Sequence, residues 1–331
     1  MRDVVMVLLA IVTLLGAIVI GLEVGLRSLF GFGKPLLYVA DPQVGYLLAP
    51  NQKTRRFGNQ ILINQYSMRS GAIAPQPTQG TFRVLLLGDS IANGGWWTDQ
   101  QQTISALLQK ALLSGLQSSD RKASDRKSSD RKSSVTSEVE VLNASANSWG
   151  PRNELAYLQR FGSFGAKWIV LLINTDDLFA TAPTSIPVGR DRNYPDHRPT
   201  SAIVETWNRY LVKPKPIPEL EAWQKEGGDR VGINLEAIRQ IQAYATQHQT
   251  RLLVVMTPLL RELGTPGSRD YEQKARQRLQ EFTQQSNITY LDLLPILNQT
   301  KDAKSLYQDH IHFNPKGNQF ITQNLFNFIQ P

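Results

Sequence analysis

Two short stretches far apart in the chain hold the residue types of acyl-transfer chemistry. Gly88-Asp89-Ser90 closes an apolar run at residues 82–87, and Asp309-x-x-His312 lies just before Asn314-Pro315 near the C-terminus. A serine hydroxyl is a poor nucleophile at its own pKa and needs an imidazole to take its proton. A carboxylate on the far ring nitrogen fixes the tautomer and stabilises the imidazolium that forms. Ser90, His312 and Asp309 are the parts for that chemistry. A strand-to-helix turn at Ser90 would also set free backbone N–H groups where an oxyanion develops. Taken singly, Ser90 reads as a turn or helix-cap serine. His310 and His312 read as a metal pair, since alternate strand residues share a face. The sequence marks no third ligand, and a His/Asp pair suffices without one, so neither metal nor other cofactor is expected.

For these residues to meet, the elements between them must bring them to one rim. Apolar runs at residues 82–87, 139–142, 168–173, 251–256 and 288–291 predict five strands buried on both faces. Ile104, Leu107, Leu108, Ala111 and Leu112 recur at helical spacing after the first run. Leu155, Leu158 and Phe161 follow the second, with Pro151 near the first turn. A helix carrying Leu235, Ile238, Ile241 and Ala245 precedes the fourth run, and a polar helix across residues 271–284 precedes the fifth. Asn314 as N-cap and Pro315 at the first helical position open a terminal helix with Phe320, Leu325 and Phe328 for packing. The alternation predicts an α/β fold with a central parallel sheet covered on both faces. Ligands of such sheets bind beyond the carboxyl ends of the strands. There lie Gly88-Asp89-Ser90, residues 143–150, and Asn174-Thr175-Asp176-Asp177.

The remaining segments set the context. The 331 residues are 41% hydrophobic and 19% charged, which leaves room for a large core and excludes a wholly disordered chain. There are no cysteines, so disulfides, thiolate nucleophiles and Cys-ligated zinc are excluded. The net charge of +8 invites a nucleic-acid or anionic-membrane reading. However, three Ser-Asp-Arg-Lys-Ala/Ser pentapeptides at residues 119–133 carry three of those eight charges, and no aromatic residues interleave with them. They sit in a segment, residues 115–138, read as a disordered insertion, and nucleic acid is not an expected partner. Residues 4–22 are uncharged and would span roughly 30 Å as a helix. That is longer than the apolar core of a signal peptide, and no small-x-small cleavage site follows, so a retained transmembrane anchor is expected. Arg2 before the span and Arg27 and Lys34 after it do not choose an orientation. The expected organisation is an anchor at 1–22, a connector at 23–80 with an edge hairpin near residues 61–64, and a catalytic domain at 81–331. A long Pro-rich loop at residues 180–232 reads as a lid or substrate-binding insertion. Trp96-Trp97 has three readings: a sugar-stacking platform, packing against the sheet, or contact with a membrane interface.

Val84-Leu85-Leu86-Leu87-Gly88-Asp89-Ser90-Ile91 resembles the first block of the SGNH (GDSL-type) hydrolases, and Asp309-x-x-His312 resembles their last. Val141-Leu142-Asn143-Ala144 and Val170-Leu171-Leu172 resemble the strands leading into the second and third blocks, so the likeness covers residues 81–328. Asp41-Pro42-x-x-Gly45-Tyr46 and Ile63-Asn64-x-x-Ser67-Met68-Arg69 resemble the leader of membrane-anchored members. The resemblance implies a three-layer α/β/α sandwich of SGNH/flavodoxin-like type and hydrolysis or transfer of acyl esters. It makes Ser90 the nucleophile, His312 the base and Asp309 its partner. For the oxyanion hole it implies the Ser90 turn, Ser148 (with Gly150 two residues on) where the family has glycine, and Asp176 where it has asparagine. An ionised Asp176 would repel an oxyanion, and losing one donor costs roughly two to three powers of ten in rate. Three resolutions stand open: Asp176 is protonated through burial, Asn174 substitutes for it, or the site is degenerate. The expected substrate is an acyl ester, such as an O-acetyl group, of an envelope glycan or lipid. The apolar helix would sit in membrane lipid and the catalytic domain outside the cytoplasm. The rival reading is a catalytically impaired, anchored carbohydrate-binding or envelope-assembly factor, which Asp176 favours.

Overall fold

The computed structural model describes residues 1–124 and 138–329. Its first element is the helix α1 (Arg2–Gly25), continued by one π-helical turn at Leu26–Phe30. Its most apolar 18 residues have a mean hydropathy of 3.0 and are not buried, so it is long and apolar enough to cross a membrane. Two antiparallel hairpins follow: β1 (Tyr38–Asp41) with β2 (Gly45–Leu48), and β3 (Gln52–Arg56) with β4 (Asn59–Ile63).

The α/β body then runs β5 (Thr81–Gly88), α2 (Ser90–Asn93), α3 (Ile104–Ser124), β6 (Glu138–Ser145), α4 (Pro151–Phe161) and β7 (Trp168–Asn174). After it come α5 (Ala202–Tyr210), α6 (Pro218–Gln224), α7 (Arg230–Gln247), β8 (Arg251–Thr257) and α8 (Asp270–Gln285). The chain ends with β9 (Thr289–Asp292), α9 (Leu293–Gln299) and α10 (Pro315–Phe326). The five later strands form one parallel sheet in the order β6-β5-β7-β8-β9. Alternate residues of a strand face opposite sides, and each side has its own apolar cluster. Leu85, Leu87, Leu171 and Ile173 meet α4, α7 and α8 through Leu158, Ile238 and Leu279. Val84, Leu86, Val170 and Leu172 meet α3, α9 and α10 through Leu108, Leu297 and Leu325. This is the expected three-layer α/β/α sandwich. The strand order reverses between β5 and β7, and in sheets of this kind the crevice at that reversal holds the ligand.

Several local expectations change. The hairpin near residues 61–64 exists as β3–β4, but as a separate two-stranded sheet and not as an edge of the central one. Its Ile61 and Ile63 are drawn into the core beside Tyr38, Tyr46 and Leu48. The free edge of β6 is taken instead by residues 69 and 70: the Arg69 amide donates to the Asn143 carbonyl (2.8 Å), and the Asn143 amide donates to Ser70 Oγ (3.0 Å). The stretch read as a loop at 180–232 carries α5 and α6. Within the segment read as an insertion at 115–138, α3 continues to Ser124. Once an apolar face has nucleated a helix, each added residue gains a hydrogen bond at small entropic cost. The rest of that segment, residues 125–137 with the remainder of the repeat, lies outside the described residues. Phe328 falls beyond the end of α10 and is exposed, while Leu325 is fully buried.

Candidate active site

Ser90 is the first residue of α2. Asp89 caps that short helix, its Oδ1 accepting the Ile91 amide at 2.7 Å, which turns the chain sharply as it leaves β5. On the facing loop, Asp309 Oδ1 accepts the amides of Ile311 and His312, both at 2.9 Å, and folds the Asp-x-x-His segment into a tight turn. Asn314 fixes the exit of this loop by capping α10, its Oδ1 accepting the Lys316 and Gly317 amides. The turn sets His312 Nδ1 at 2.8 Å from Asp309 Oδ2 and His312 Nε2 at 2.8 Å from Ser90 Oγ. With the proton on Nδ1, the imidazole donates to Asp309 and accepts from the Ser90 hydroxyl. The Trp97 ring lies 4.3 Å from the imidazole, centroid to centroid. Burial pushes the Asp309 carboxyl up, but the His312 and Ile311 amides and the imidazole outweigh it and hold Asp309 below the usual range.

The residues considered for the oxyanion hole divide into those free to donate and those already engaged. Asn174 is engaged. Its Nδ2 donates to Asp89 Oδ2 (2.9 Å) and Asp177 Oδ2 (2.8 Å), and its Oδ1 accepts the Asp176 amide (2.7 Å). The expectation that Asn174 could replace the missing asparagine is therefore corrected: two buried carboxyls claim its amide. Gly150 is engaged too, its amide donating to Asn153 Oδ1 (3.1 Å) at the start of α4. The amides of Ser90 and Ser148 donate to no protein acceptor among the described residues. Ser148 sits in the left-handed region (φ 58°), and its Oγ accepts from the Tyr194 hydroxyl at 2.9 Å. Asp176 is an exposed residue, yet partial desolvation of its carboxyl raises its pKa against the pull of Arg261.

Beneath Ser90 lies a group of buried carboxyls. Asp89 is raised to about 6 by burial, against the donors Ile91, Ser90 and Asn174. Burial raises Asp177 and Glu154 well above the ordinary range, and Asp89 adds to both shifts. Glu154 is wholly buried, and neither carboxyl oxygen has a hydrogen-bond partner among the described residues.

Two clefts meet at Ser90, Ser148, Tyr194 and His312. One, of about 400 Å³, is walled by Phe32, Phe57, Trp96, Trp97 and Tyr210. The other, of about 540 Å³, is the more polar of the two and includes Asn153, Asp176, Asp177 and His310. The N-terminal hairpins and the 180–232 segment thus build the walls. Tyr46 of β2 braces the Ser148 turn: its hydroxyl donates to the Asn147 carbonyl (2.6 Å), and its own carbonyl accepts from Trp149 Nε1 (3.2 Å). Arg69, fully buried, ties down the loop bearing Trp96 and Trp97 by donating to the carbonyls of Asn93, Gly95 and Thr98. The signal for both residues was the leader motif, which marked them without giving a role. The His310 side chain is 85% exposed, its Nδ1 3.9 Å from Asp309 Oδ1, and the described residues hold no group of three metal-ligating side chains.

With the family match over residues 86–320, this parallel sheet and the GDS turn after β5 make the chain a hydrolase acting on ester bonds. The chain belongs to the GDSL-like lipase/acylhydrolase family, whose model matches residues 86–320. No curated protein matches it. Among solved structures it is similar to an acetylxylan esterase from Geobacillus stearothermophilus, at 11% identity over 77% of this chain and 95% of that one, with a TM-score of 0.46. It is also similar to a lipase/acylhydrolase from Enterococcus faecalis, at 14% identity over 75% of this chain and 95% of that one, with a TM-score of 0.41.

Proposed function

We propose that Ser90 attacks the carbonyl carbon of an acyl ester borne by an envelope glycan or lipid. The observation that carries this reading is the unbroken relay from Asp309 through His312 to Ser90, with both links at 2.8 Å. His312 Nε2 takes the hydroxyl proton as Oγ bonds to carbon, and the amides of Ser90 and Ser148 receive the oxyanion. Collapse of the tetrahedral intermediate returns that proton to the departing alkoxide and leaves an acyl-enzyme. Water or an acceptor hydroxyl, deprotonated by His312, then attacks the acyl carbon and frees Ser90, giving an acid or a transferred ester. The aromatic cleft suits a sugar ring or an acyl chain. The division into an anchor (1–22), a connector (23–80) and a catalytic domain (81–331) belongs to the same proposal, with α1 retained in the membrane and the domain outside the cytoplasm.

The test is labelling with a fluorophosphonate probe, together with hydrolysis of a small soluble ester. The wild-type chain is expected to be labelled and active, and Ser90→Ala to be neither. Absence of both in the wild type would favour the rival reading, an anchored binding or assembly factor that keeps the fold without the chemistry.

A further inference from the structure

Where α1 leaves its π-helical turn, the chain bends at Gly31 (φ 76°), whose missing side chain lets it lie directly against the Arg55 carbonyl. This brings the end of α1 onto β3. Arg55 donates to the carbonyls of Ser28 and Leu29, which places a cation at the helix C-terminus, where the dipole favours it. Lys53, two residues earlier, shares the exposed face of β3 with Arg55. Together with Arg27 and Lys34 they wall a groove of about 630 Å³ that has no carboxylate in its lining. Arg27 is paired with Glu23 at 2.5 Å, but Lys34 and Lys53 have no ion partner among the described residues.

Location narrows what such a groove would take. It opens within a few residues of the end of a helix long and apolar enough to cross a membrane. On that same turn Leu29 and Phe30 are 65% and 41% exposed. Cations beside exposed apolar and aromatic side chains at the end of a span are suited to the headgroup layer. The groove also shares Phe32, Lys34 and Thr54 with the aromatic cleft that reaches Ser90. A row of rings marks the route: Phe30 to Phe57 at 5.9 Å, Phe57 to Trp96 at 5.3 Å, Trp96 to Trp97 at 5.7 Å, and Trp97 to the His312 imidazole at 4.3 Å.

We propose that this groove binds the phosphate of an anionic membrane lipid and so fixes the open end of the catalytic cleft at the bilayer surface. Lys34 and Lys53 supply the free charge, and Arg55 and Arg27 form the wall behind it. The proposal rests on the membrane-anchor reading of α1 and extends the ester-hydrolase reading of Ser90.

The experiment uses the full chain in nanodiscs of phosphatidylcholine containing a minor share of phosphatidylglycerol, released for native mass spectrometry. The wild type is expected to retain phosphatidylglycerol over phosphatidylcholine. At about 1 kcal/mol per basic residue near an anionic surface, Lys34→Glu with Lys53→Glu should cut that preference at least tenfold. The Lys34→Arg, Lys53→Arg pair keeps the charge and should keep the preference, and thermal melts establish that both pairs fold. Equal retention of the two lipids by the wild type, or an undiminished preference in the Glu pair, would overturn the proposal. So would displacement of the lipid by equimolar inorganic phosphate, which would assign the groove to the free anion. Soluble-ester turnover by the wild type, measured in parallel, reports on Ser90 alone and separates failure of the groove from failure of the catalytic reading.

Discussion

Asn174 donates from its carboxamide nitrogen to Asp89, 2.9 Å away, and so braces the residue that caps the turn at Ser90. The same nitrogen reaches Asp177 at 2.8 Å. Asn174 is therefore a positioning residue. Asn174→Ala leaves two buried carboxyls short of a donor, at about 1–3 kcal/mol for each group left unsatisfied. We expect a lowered melting temperature in that variant, with the rate falling because the Asp89 turn loosens. Asp176→Asn should behave in the opposite way: the fold is kept and soluble-ester turnover rises severalfold. Because partial desolvation raises the Asp176 pKa, the gain should be larger at pH 8 than at pH 5. A melting temperature unmoved by Asn174→Ala would remove the positioning role.

Asp309→Asn tests the tautomer. Asp309 Oδ1 holds two amides and Oδ2 faces His312 Nδ1. An asparagine can keep its oxygen on the amides only by turning its NH2 toward Nδ1. Nδ1 must then accept, the proton moves to Nε2, and Nε2 can no longer take the Ser90 proton. The expected loss is roughly ten-thousandfold in kcat, with the fold intact by circular dichroism. A variant within tenfold of the wild type would show that Asp309 does not set the imidazole.

What was legible in the chain was local. Five strands announced themselves as short apolar runs, and α10 by Asn314-Pro315, because burial on both faces and helix capping leave marks within a few residues. Ser90, Asp309 and His312 could be singled out for the same reason, each lying at the end of such an element. The remainder depends on approach in three dimensions. Asn174 offered a free amide as a string of letters, and only the fold shows Asp89 and Asp177 closing on it. Glu154 stands in the first turn of α4, where its neighbours along the chain give no sign that the fold encloses it completely. The hairpins β1–β2 and β3–β4 carry mixed polar and apolar residues whose burial is decided by packing against the helical layer, so alternation alone could not place them.

That enclosure of Glu154 gives the stability curve a sign. A carboxyl raised in the native state holds its proton where the unfolded chain has released it, so stability falls as pH rises from the unfolded value toward the native one. For Asp89 the window runs from 3.8 to about 6. For Glu154 it opens at 4.5 and extends well above. Glu272 and Asp229, each held near 2 by an arginine, act in the reverse direction and lose their contribution in strong acid. The melting temperature should therefore peak on the acidic side of neutrality and decline toward pH 8. Glu154→Gln removes one titration, worth about 1.4 kcal/mol for each pH unit inside its window. Its melting temperature should exceed the wild type's at pH 8 by clearly more than at pH 5. Parallel pH profiles for the two proteins would contradict this.

Gly95 offers a way to move the imidazole's neighbour without touching the relay. It has a positive φ of 47°, and a Cβ there would come within 2.3 Å of the Trp97 ring. That ring does not move freely, because it also packs against the His312 imidazole, 4.3 Å away centroid to centroid. Gly95→Ala should push the indole off the imidazole and disturb the 2.8 Å contact to Ser90. Misplacements of this size cost roughly ten- to a hundredfold in rate. The tryptophan emission should shift as the ring leaves its contact. Trp97→Phe, with a smaller ring, should cost less alone. Because the two residues touch, their effects should not add: Gly95→Ala with Trp97→Phe is expected to be faster than Gly95→Ala, since the phenyl leaves room for the methyl group. If the double variant instead multiplies the two losses, the damage comes from backbone strain at Gly95 and not from the displaced indole.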